Sequence, residues 1–199
     1  MPAADEFQLI RPDLAFWQAY EPAVKSDLSC CARRLGSQLV FIDPIPLAAP
    51  ALEELAALAM PAAIVLTNGN HARAAAMFRT QFSIPIFAHA DAVAGLGIPI
   101  DGALEDGAMV ADALSVIALP GAGAGEIALC GGGVAHVGDA LIHVEPTGFS
   151  PLPDKYCNDA RELRRSLGKL LRTEFEILTF AHGLPLISQA RRRLENLLA

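Results

Sequence analysis

Residues 62–73 read AAIVLTNGNHAR, an apolar run followed at once by a polar loop. The run Ala62 to Leu66 has the length and composition of a buried strand, and the segment after the loop has a helical pattern. The loop TNGNHAR (67–73) brings two amides, an imidazole and a guanidinium together. Since functional sites are often built on loops at strand ends, this stretch is a metal site, the remnant of one, or a turn.

The composition is that of a chain able to form one globular domain. Its 199 residues are 53% hydrophobic and 19% charged, which suffices for a substantial core, and we predict a single domain over residues 1–199. The net charge of −7 offers no general attraction to nucleic acid or to an anionic membrane, so neither is predicted as a partner. The basic residues that follow position 150 fit the solvated faces of amphipathic helices.

Three features predict a cytoplasmic location. The N-terminus MPAADEFQLIRPD carries acids where a secretory signal carries basic residues. Pro50 and Pro61 interrupt the most apolar region, residues 46–66, so it reads as a helix and a strand instead of a membrane span. The four cysteines form no C-x-x-C pair, which is typical of reduced, buried thiols.

The first half of the chain predicts strands and helices in alternation. Residues 27–43 contain two apolar runs around Gly36, a hairpin signal that ends at Asp43. Helix, strand, helix and strand are then expected at Ala51–Met60, Ala62–Leu66, Ala72–Phe82 and within residues 84–91. Strands separated by helices predict parallel pairing in a covered sheet.

The second half predicts another sheet. Residues 102–143 hold short β-type runs divided by glycines and acids, which favours antiparallel strands. An amphipathic helix is expected at Asp159–Leu171, a strand within residues 175–183 and a closing helix within residues 187–199. The predicted fold class is therefore α/β, as a four-layer αββα sandwich of two mixed sheets packed face to face with helices outside. A single doubly wound sheet is the alternative.

The glycine-rich segment LPGAGAGE (119–126) resembles a nucleotide-binding loop only at first sight. In the pattern G-x-G-x-x-G the third glycine would fall on Glu126, and a strand-like run follows it where a helix would be needed. We interpret the segment as a hairpin turn.

Further polar residues stand where predicted strands end. They are Asp43, the 67–73 loop, Asp139 in HVGDALI and His182 in TFAHGLP. One such residue usually forms a turn or a satisfied core contact. Four at the ends of successive strands indicate a site along one edge of the sheets.

In its order of motifs the sequence resembles the metallo-β-lactamase-fold hydrolases over nearly its whole length, in a divergent, bacterial-like branch. The similar segments are LVFIDP (39–44), IVLTNGNHAR (64–73), IPIFAHAD (84–91), LPGAGAGEIAL (119–129), VGDALI (137–142) and FAHGLP (180–185). They resemble the family's strand-end Asp, its T-H-x-H-x-D-H loop, the strand after the next helix, P-G-H-T-P-G-S, G-D-x-L and G-H-G-x-P. The resemblance implies the same αββα fold.

The resemblance also implies which residues would bind metal. In the family, two histidines of the loop and that of P-G-H bind one ion, the Asp and His that complete the loop bind a second with the terminal His, and the Asp of G-D-x-L bridges them. Only Asp139 and His182 keep ligand identity here. The other ligand positions hold Asn68, Asn70, Ala72, Arg73 and Ala122. Because Asn is a poor zinc ligand and Arg repels a cation, we expect the dinuclear zinc site to be lost.

Two arrangements of the remaining residues stay open. In one, His71, Asp139 and His182 hold a single zinc, iron or manganese ion. In the other, which we favour from the sequence, no metal cofactor binds, and Arg73 forms an ion pair with Asp139 or faces an anionic substrate.

These arrangements lead to three hypotheses. A hydrolase of an ester, thioester or amide-type small molecule would use Asp139, His182 and His71 for catalysis. A binding module without turnover would hold a small-molecule ligand through polar groups of the vacated pocket. The substrate-binding residues in either case are Arg73, Asn68, Asn70 and Asp43. An interaction protein would use an exposed segment FWQAY (16–20) with Trp17 and Tyr20 to pack on a partner, although covering the sheet is the more usual role of such a segment. A homodimer is expected on base rates.

Overall fold

The first sheet is the larger of two that pack together in the computed structural model, which describes residues 1–199. It has seven strands in the order of the chain. The first strand to the fourth pair with their neighbours in antiparallel fashion, and the fourth strand to the seventh pair in parallel. The strands are β1 (Gln8–Arg11), β2 (Leu14–Glu21), β3 (Ser26–Leu35), β4 (Gln38–Ile42), β5 (Met60–Leu66), β6 (Ile86–His89) and β7 (Gly102–Leu104).

The second sheet has five strands, and a two-stranded hairpin lies beside it. Its strands are β8 (Met109–Val110), β9 (Leu114–Ala118), β10 (Ile127–Gly131), β11 (Gly133–Val137) and β14 (Phe175–Phe180), in the spatial order β14-β11-β10-β9-β8. The hairpin is β12 (Leu141–Val144) with β13 (Gly148–Pro151). The helices are α1 (Ala49–Ala57), α2 (Ala75–Phe82), α3 (Val93–Leu96), α4 (Ala160–Leu167) and α5 (Ala190–Leu198).

Alternation along the strands explains the layers. In β4, Leu39 and Phe41 face the core that also contains helix residues such as Phe78, while Val40 and Ile42 face the second sheet. Because successive side chains of a strand point to opposite faces, a strand apolar at every position is covered on both sides. The first sheet is therefore packed between helices and the second sheet.

The second sheet repeats this arrangement. Cys130 of β10 and Phe180 of β14 pack with Leu163 and Leu167 of α4 and with Leu194 of α5. The opposite face of β10 joins the core between the sheets. The four-layer αββα prediction is confirmed, and the doubly wound alternative is wrong because the strands divide between two sheets.

Several sequence predictions differ in detail from the structure. The segment FWQAY lies inside β2, where Trp17 is buried and its Nε1 donates to the carbonyl oxygen of Ile45 at 3.0 Å; only Tyr20 of the pair is exposed. The helix predicted over Asp159–Leu171 ends at Leu167, and Asp159 caps it by accepting from two backbone N–H groups. No helix combines the length and apolar content needed to span a membrane.

The strand ends bring the polar residues to one edge. Asp43 directly follows β4, and the 67–73 loop directly follows β5, its parallel neighbour. Asp139 and His182 follow β11 and β14, which are parallel neighbours in the second sheet. Parallel strands end at the same edge of a sheet, and the two sheets align these edges, so the four features meet.

Candidate functional site

A buried carboxylate organises one side of the site. Asp43 is fully buried and accepts from the backbone N–H of Thr67 at 2.8 Å and from the Thr67 hydroxyl. Its Oδ2 lies 2.9 Å from Nδ1 of His71. The carboxylate thus fixes both the start of the loop and the imidazole that follows it.

Two imidazoles converge on one carboxylate oxygen. Nε2 of His71 lies 3.2 Å from Oδ1 of Asp139, and Nε2 of His182 lies 3.3 Å from the same atom. The other ring nitrogen of His182, Nδ1, lies 3.2 Å from the carbonyl oxygen of Asp27. Ligand atoms of His71, Asp139 and His182 all lie within 4.8 Å of one another.

The amide of Asn68 holds the second oxygen of Asp139. Its Nδ2 donates to Oδ2 of Asp139 at 3.0 Å and to Oε2 of Glu126 at 2.8 Å. Its Oδ1 accepts from the backbone N–H of Asn70 at 2.8 Å, which fixes the orientation of the amide. The side chain of Asn70 is exposed at the rim. Both asparagines named from the sequence are therefore in the region, but only Asn68 contacts the central carboxylate.

Arg73 does not form the ion pair with Asp139 that the sequence suggested. Its guanidinium donates to three backbone carbonyl oxygens, of Ser29 at 2.8 Å, Asp43 at 3.3 Å and Ala181 at 3.1 Å. These carbonyls belong to both sheets, so Arg73 connects their edges. His71, and not Arg73, points at Asp139. The backbone at Arg73 has a positive φ of 37°.

Arg73→Lys is therefore expected to lower the free energy of unfolding by about 2 kcal/mol, since a lysine replaces the planar fork with a single ammonium group. Urea unfolding measures this loss. Arg79→Lys, at a half-exposed arginine that binds Asp101, is the matched control and should cost less than about 1 kcal/mol. Unchanged stability combined with a loss of ligand binding would assign Arg73 to the ligand instead.

Glu126 is a site residue that the sequence analysis missed. It is buried, and besides Asn68 it binds the backbone N–H of Ala140 through Oε1 at 3.0 Å. Burial, together with the negative charge of Asp139, raises the pKa of Glu126 to about 8. The available signal was an acid placed immediately before the apolar run of β10, a position where an apolar residue would pack better.

His136 on β11 is the second residue that was missed. It is buried between the sheets, with Nδ1 2.7 Å from Oγ1 of Thr179 and 3.4 Å from Sγ of Cys31. Its Nε2 lies 3.6 Å from Oδ2 of Asp43. The polar cluster therefore continues from the edge into the layer between the two sheets.

The charges of these groups shift each other's pKa values. Burial alone would raise the pKa of Asp43, but the adjacent His71 and His136 outweigh it and hold that pKa far below its ordinary value. The pKa of Asp139 is likewise held well below the ordinary value against burial, by His71 and His182. Burial alone would lower the pKa of His71, but the carboxylates of Asp43 and Asp139 raise it to about 9.

The protein kept free of metal by a chelator is expected to lose stability as pH rises from 6.5 to 9. The pKa of His71 and that of His136 are each about 9 in the fold, above the value of about 6.5 for an unfolded histidine. The folded state then binds more protons than the unfolded state within this window, so the contribution of these histidines to stability is full below pH 6.5 and falls as pH rises through 9.

Urea unfolding at pH 6.5 and pH 9, with chelator at both, measures this change, which we expect to be about 2 kcal/mol or more. Stability that is flat or rising over this window would contradict the protonated state assigned to the two histidines.

Two glycines let the strand ends approach this closely. Gly138 precedes Asp139, and a Cβ there would collide with Oγ1 of Thr67 and with the carboxylate of Glu126. Gly183 follows His182 with a φ of 92°, and a Cβ there would collide with the carbonyl oxygen of His143. A side chain would be strained at Gly183 by the φ angle and would collide at both positions. The two glycines therefore allow Asp139 and His182 to lie where they do.

A protein-family model described as metallo-beta-lactamase superfamily matches residues 7–199. The chain belongs to the metallo-beta-lactamase superfamily. No curated protein matches its sequence.

Solved metallo-beta-lactamase structures share the fold. A metallo-beta-lactamase family protein from Thermus thermophilus, TTHA1429, is similar with a TM-score of 0.69 and 21% identity over 95% of this chain and 79% of that one. The metallo-beta-lactamase from Erythrobacter litoralis gives 0.77 and 15%, over 96% and 95%. TTHA1623, solved in a di-iron-bound form, gives 0.65 and 22%, over 85% and 93%.

Within the metallo-beta-lactamase fold, the positions where the resemblance implied metal ligands hold only part of a ligand set. Asp139 and His182 adjoin each other at the edge, and Asn68 stands beside them with an NH₂ group turned toward two carboxylates. Ala122 is buried and offers no ligand atom. Neither Asn68 in this orientation nor Ala122 supplies a ligand of the kind that a second ion needs. The set of His71, Asp139 and His182 has the chemistry for one ion.

Proposed function

We propose that the protein is a hydrolase that uses a single divalent metal ion held by His71, Asp139 and His182. The observation that carries the proposal is the convergence of both Nε2 atoms on Oδ1 of Asp139 at 3.2 and 3.3 Å, while both Nδ1 atoms face an oxygen acceptor. In metal sites a ligating histidine usually gives its other N–H to a carboxylate or a backbone carbonyl. Nδ1 of His71 faces the carboxylate of Asp43, and Nδ1 of His182 faces the backbone carbonyl oxygen of Asp27.

The hydrogen positions strengthen this argument. A neutral imidazole has one N–H and one lone pair. If Nδ1–H of each ring donates to its acceptor, the two Nε2 lone pairs both face a carboxylate oxygen and repel it. A proton on His71 relieves one of these contacts, whereas a divalent cation relieves both. Two imidazoles and one carboxylate suit zinc, iron or manganese and leave positions open for water and substrate.

A bound ion of this kind would lower the pKa of water and polarise the scissile carbonyl group. The residues of the chain have supporting tasks. Asp43 keeps the proton of His71 on Nδ1, so that Nε2 is free. Asn68 binds Oδ2 of Asp139 and leaves Oδ1 available. Glu126, whose pKa burial and Asp139 raise to about 8, accepts from the Asn68 amide and the Ala140 N–H behind Asp139.

The surface beside His182 supports a small polar substrate. Asp27 and Gly183, which contact or adjoin His182, line a cavity of about 350 Å³. Tyr20, Lys25, Glu145 and Leu184 also line it, giving one cation, a second acid beside Asp27, a hydroxyl group and apolar contacts. Such a mixture suits an ester, thioester or amide with a short apolar part and a polar group.

Metal analysis of protein purified without chelators, joined to an assay against activated esters, thioesters and amides, tests the proposal. We expect one ion per chain, and hydrolysis that a chelator removes and added metal restores. His182→Asn should lose both. His89→Asn, at a histidine whose Nδ1 accepts a local backbone N–H, is the matched control and should keep both. A chain without metal and without hydrolysis would reject the hydrolase.

A binding module without turnover is the second candidate, and one observation favours it. A protonated His71 would donate to Asp43 and Asp139 at once, which satisfies both carboxylates without a metal. In this case exposed polar groups such as Asn70 would bind the ligand. Asn68 and Asp43, which the sequence analysis named for this role, are buried and occupied by protein contacts. The same metal analysis separates the candidates, because the module predicts no bound ion in the wild-type protein.

A further inference from the structure

His136 occupies a position where the packing would favour an apolar side chain. It lies on the face of β11 that Val134 also occupies, and Val134 packs in the apolar core between the sheets. His136 is 2% exposed. Burying an imidazole costs free energy unless its nitrogens are paired. We therefore expect each ring nitrogen of His136 to face a polar group.

Nδ1 of His136 has a hydroxyl group beside it. Oγ1 of Thr179 lies 2.7 Å from Nδ1 and 3.4 Å from the carbonyl oxygen of Ala135. The hydroxyl can donate to Nδ1 or accept from Nδ1–H, so this nitrogen is paired in either charge state of the ring. Sγ of Cys31, at 3.4 Å from Nδ1, is a weak additional neighbour.

The other nitrogen then faces a carboxylate. Nε2 of His136 is buried without a hydrogen-bond partner and lies 3.6 Å from Oδ2 of Asp43. A lone pair at Nε2 would repel Oδ2, whereas an N–H there attracts it. An N–H at Nε2 toward Oδ2 is compatible with a neutral ring and with an imidazolium. Burial alone would lower the pKa of His136, but Cys31 and Asp43 raise it to about 9.

We propose that His136 is a positioning residue whose Nε2–H holds the Asp43 carboxylate from behind and thereby keeps His71 aimed at Asp139. Asp43 is held between Thr67 and His71 on its loop side and His136 on its inner side. The chain of contacts runs from the core between the sheets to a residue of the site. The link to metal binding rests on the proposed function, whereas the link to Asp43 and His71 does not.

Two variants and two readouts test the inference. His136→Phe keeps a ring but removes both nitrogens, and His136→Gln supplies a neutral N–H toward Asp43. The first readout is zinc affinity, measured by competition with a chelator. We expect about 10-fold weaker binding in the Phe variant, the scale of a lost outer contact in metal sites, and recovery to within about 3-fold in the Gln variant. Equal affinity in a folded Phe variant would overturn the inference.

The second readout is the ¹⁵N chemical shifts of the histidine rings in chelator-treated protein at pH 7. In the wild type we expect Nε2 of His136 to be protonated, and the signals of His71 to move in the Phe variant and return in the Gln variant. An unprotonated Nε2 of His136 in the wild type, or unmoved His71 signals, would overturn the inference. The wild-type measurement decides even where a variant does not fold.

These readouts keep the two proposals apart. Wild-type protein that binds no zinc contradicts the proposed function, and the ring signals of His136 and His71 then decide the positioning role. Wild-type protein that binds zinc only as tightly as the Phe variant contradicts the positioning role alone.

Discussion

Asp139→Asn is expected to weaken zinc binding by more than about 100-fold, a larger loss than outer contacts of metal sites produce. Oδ1 of Asp139 lies 3.2 and 3.3 Å from the two Nε2 atoms, and Oδ2 accepts from the Asn68 amide. Asp139 is the one anionic ligand in the proposed set. An asparagine keeps the shape but offers a neutral oxygen, which is a poor ligand for zinc. Competition titration against a chromophoric chelator measures the change.

The control for this variant is Asp91→Asn. Asp91 is another acid near a strand end, but its side chain is 77% exposed, so zinc affinity should stay within about 2-fold of wild type. Circular dichroism and urea unfolding check that both variants fold. Zinc affinity retained in folded Asp139→Asn would remove this residue from the proposed metal site.

Asp43→Asn is expected to lower the free energy of unfolding by about 3–5 kcal/mol at pH 7, the cost of breaking a buried ion pair. Asp43 has no exposed surface and compensates the charges of His71 and His136. The asparagine would also present an NH₂ group to donors that now bind a carboxylate. Since the pKa of Asp43 in the fold is far below the ordinary value, its contribution is complete at pH 7 and is lost only as pH falls through the acidic range.

Urea unfolding in the presence of chelator measures this loss without a contribution from bound metal. Asp5→Asn, at an exposed acid, is the matched control and should change stability by less than about 0.5 kcal/mol. A loss below about 1 kcal/mol for Asp43→Asn would mean that the buried histidines are neutral and that the carboxylate carries no ion pair.

The layers of the fold were predictable because they follow from local patterns. Strands such as β4 and β5 are apolar at nearly every position, and helices with one apolar stripe occur between and after them. The turn at LPGAGAGE joins β9 and β10 as an antiparallel pair, as its glycines indicated. Helix limits were less accurate: α4 ends at Leu167, whereas the pattern predicted a helix as far as Leu171.

The site was predictable only as far as strand ends determine it. His71, Asp139 and His182 follow strands whose ends meet, so their proximity could be expected. Glu126 and His136 lie at the start of β10 and inside β11, where a sequence pattern indicates a turn or core. Their role depends on how the two sheets face each other, and the packing between distant parts of the chain decides that.

The orientation of Arg73 shows the same limit. The sequence placed its charge beside Asp139, but the guanidinium donates to the carbonyl oxygens of Ser29 and Ala181. These carbonyls are far away in the sequence. No local pattern indicates that backbone oxygens from three separate segments will meet at that point.

The central claim is that one metal ion binds between His71, Asp139 and His182, and anomalous diffraction from crystals grown with zinc tests it most directly. The account predicts a single strong peak at about 2.0–2.1 Å from Nε2 of His71 and from Nε2 of His182, with Asp139 as the third ligand. No peak at these residues, or two peaks about 3.5–4 Å apart, would contradict it.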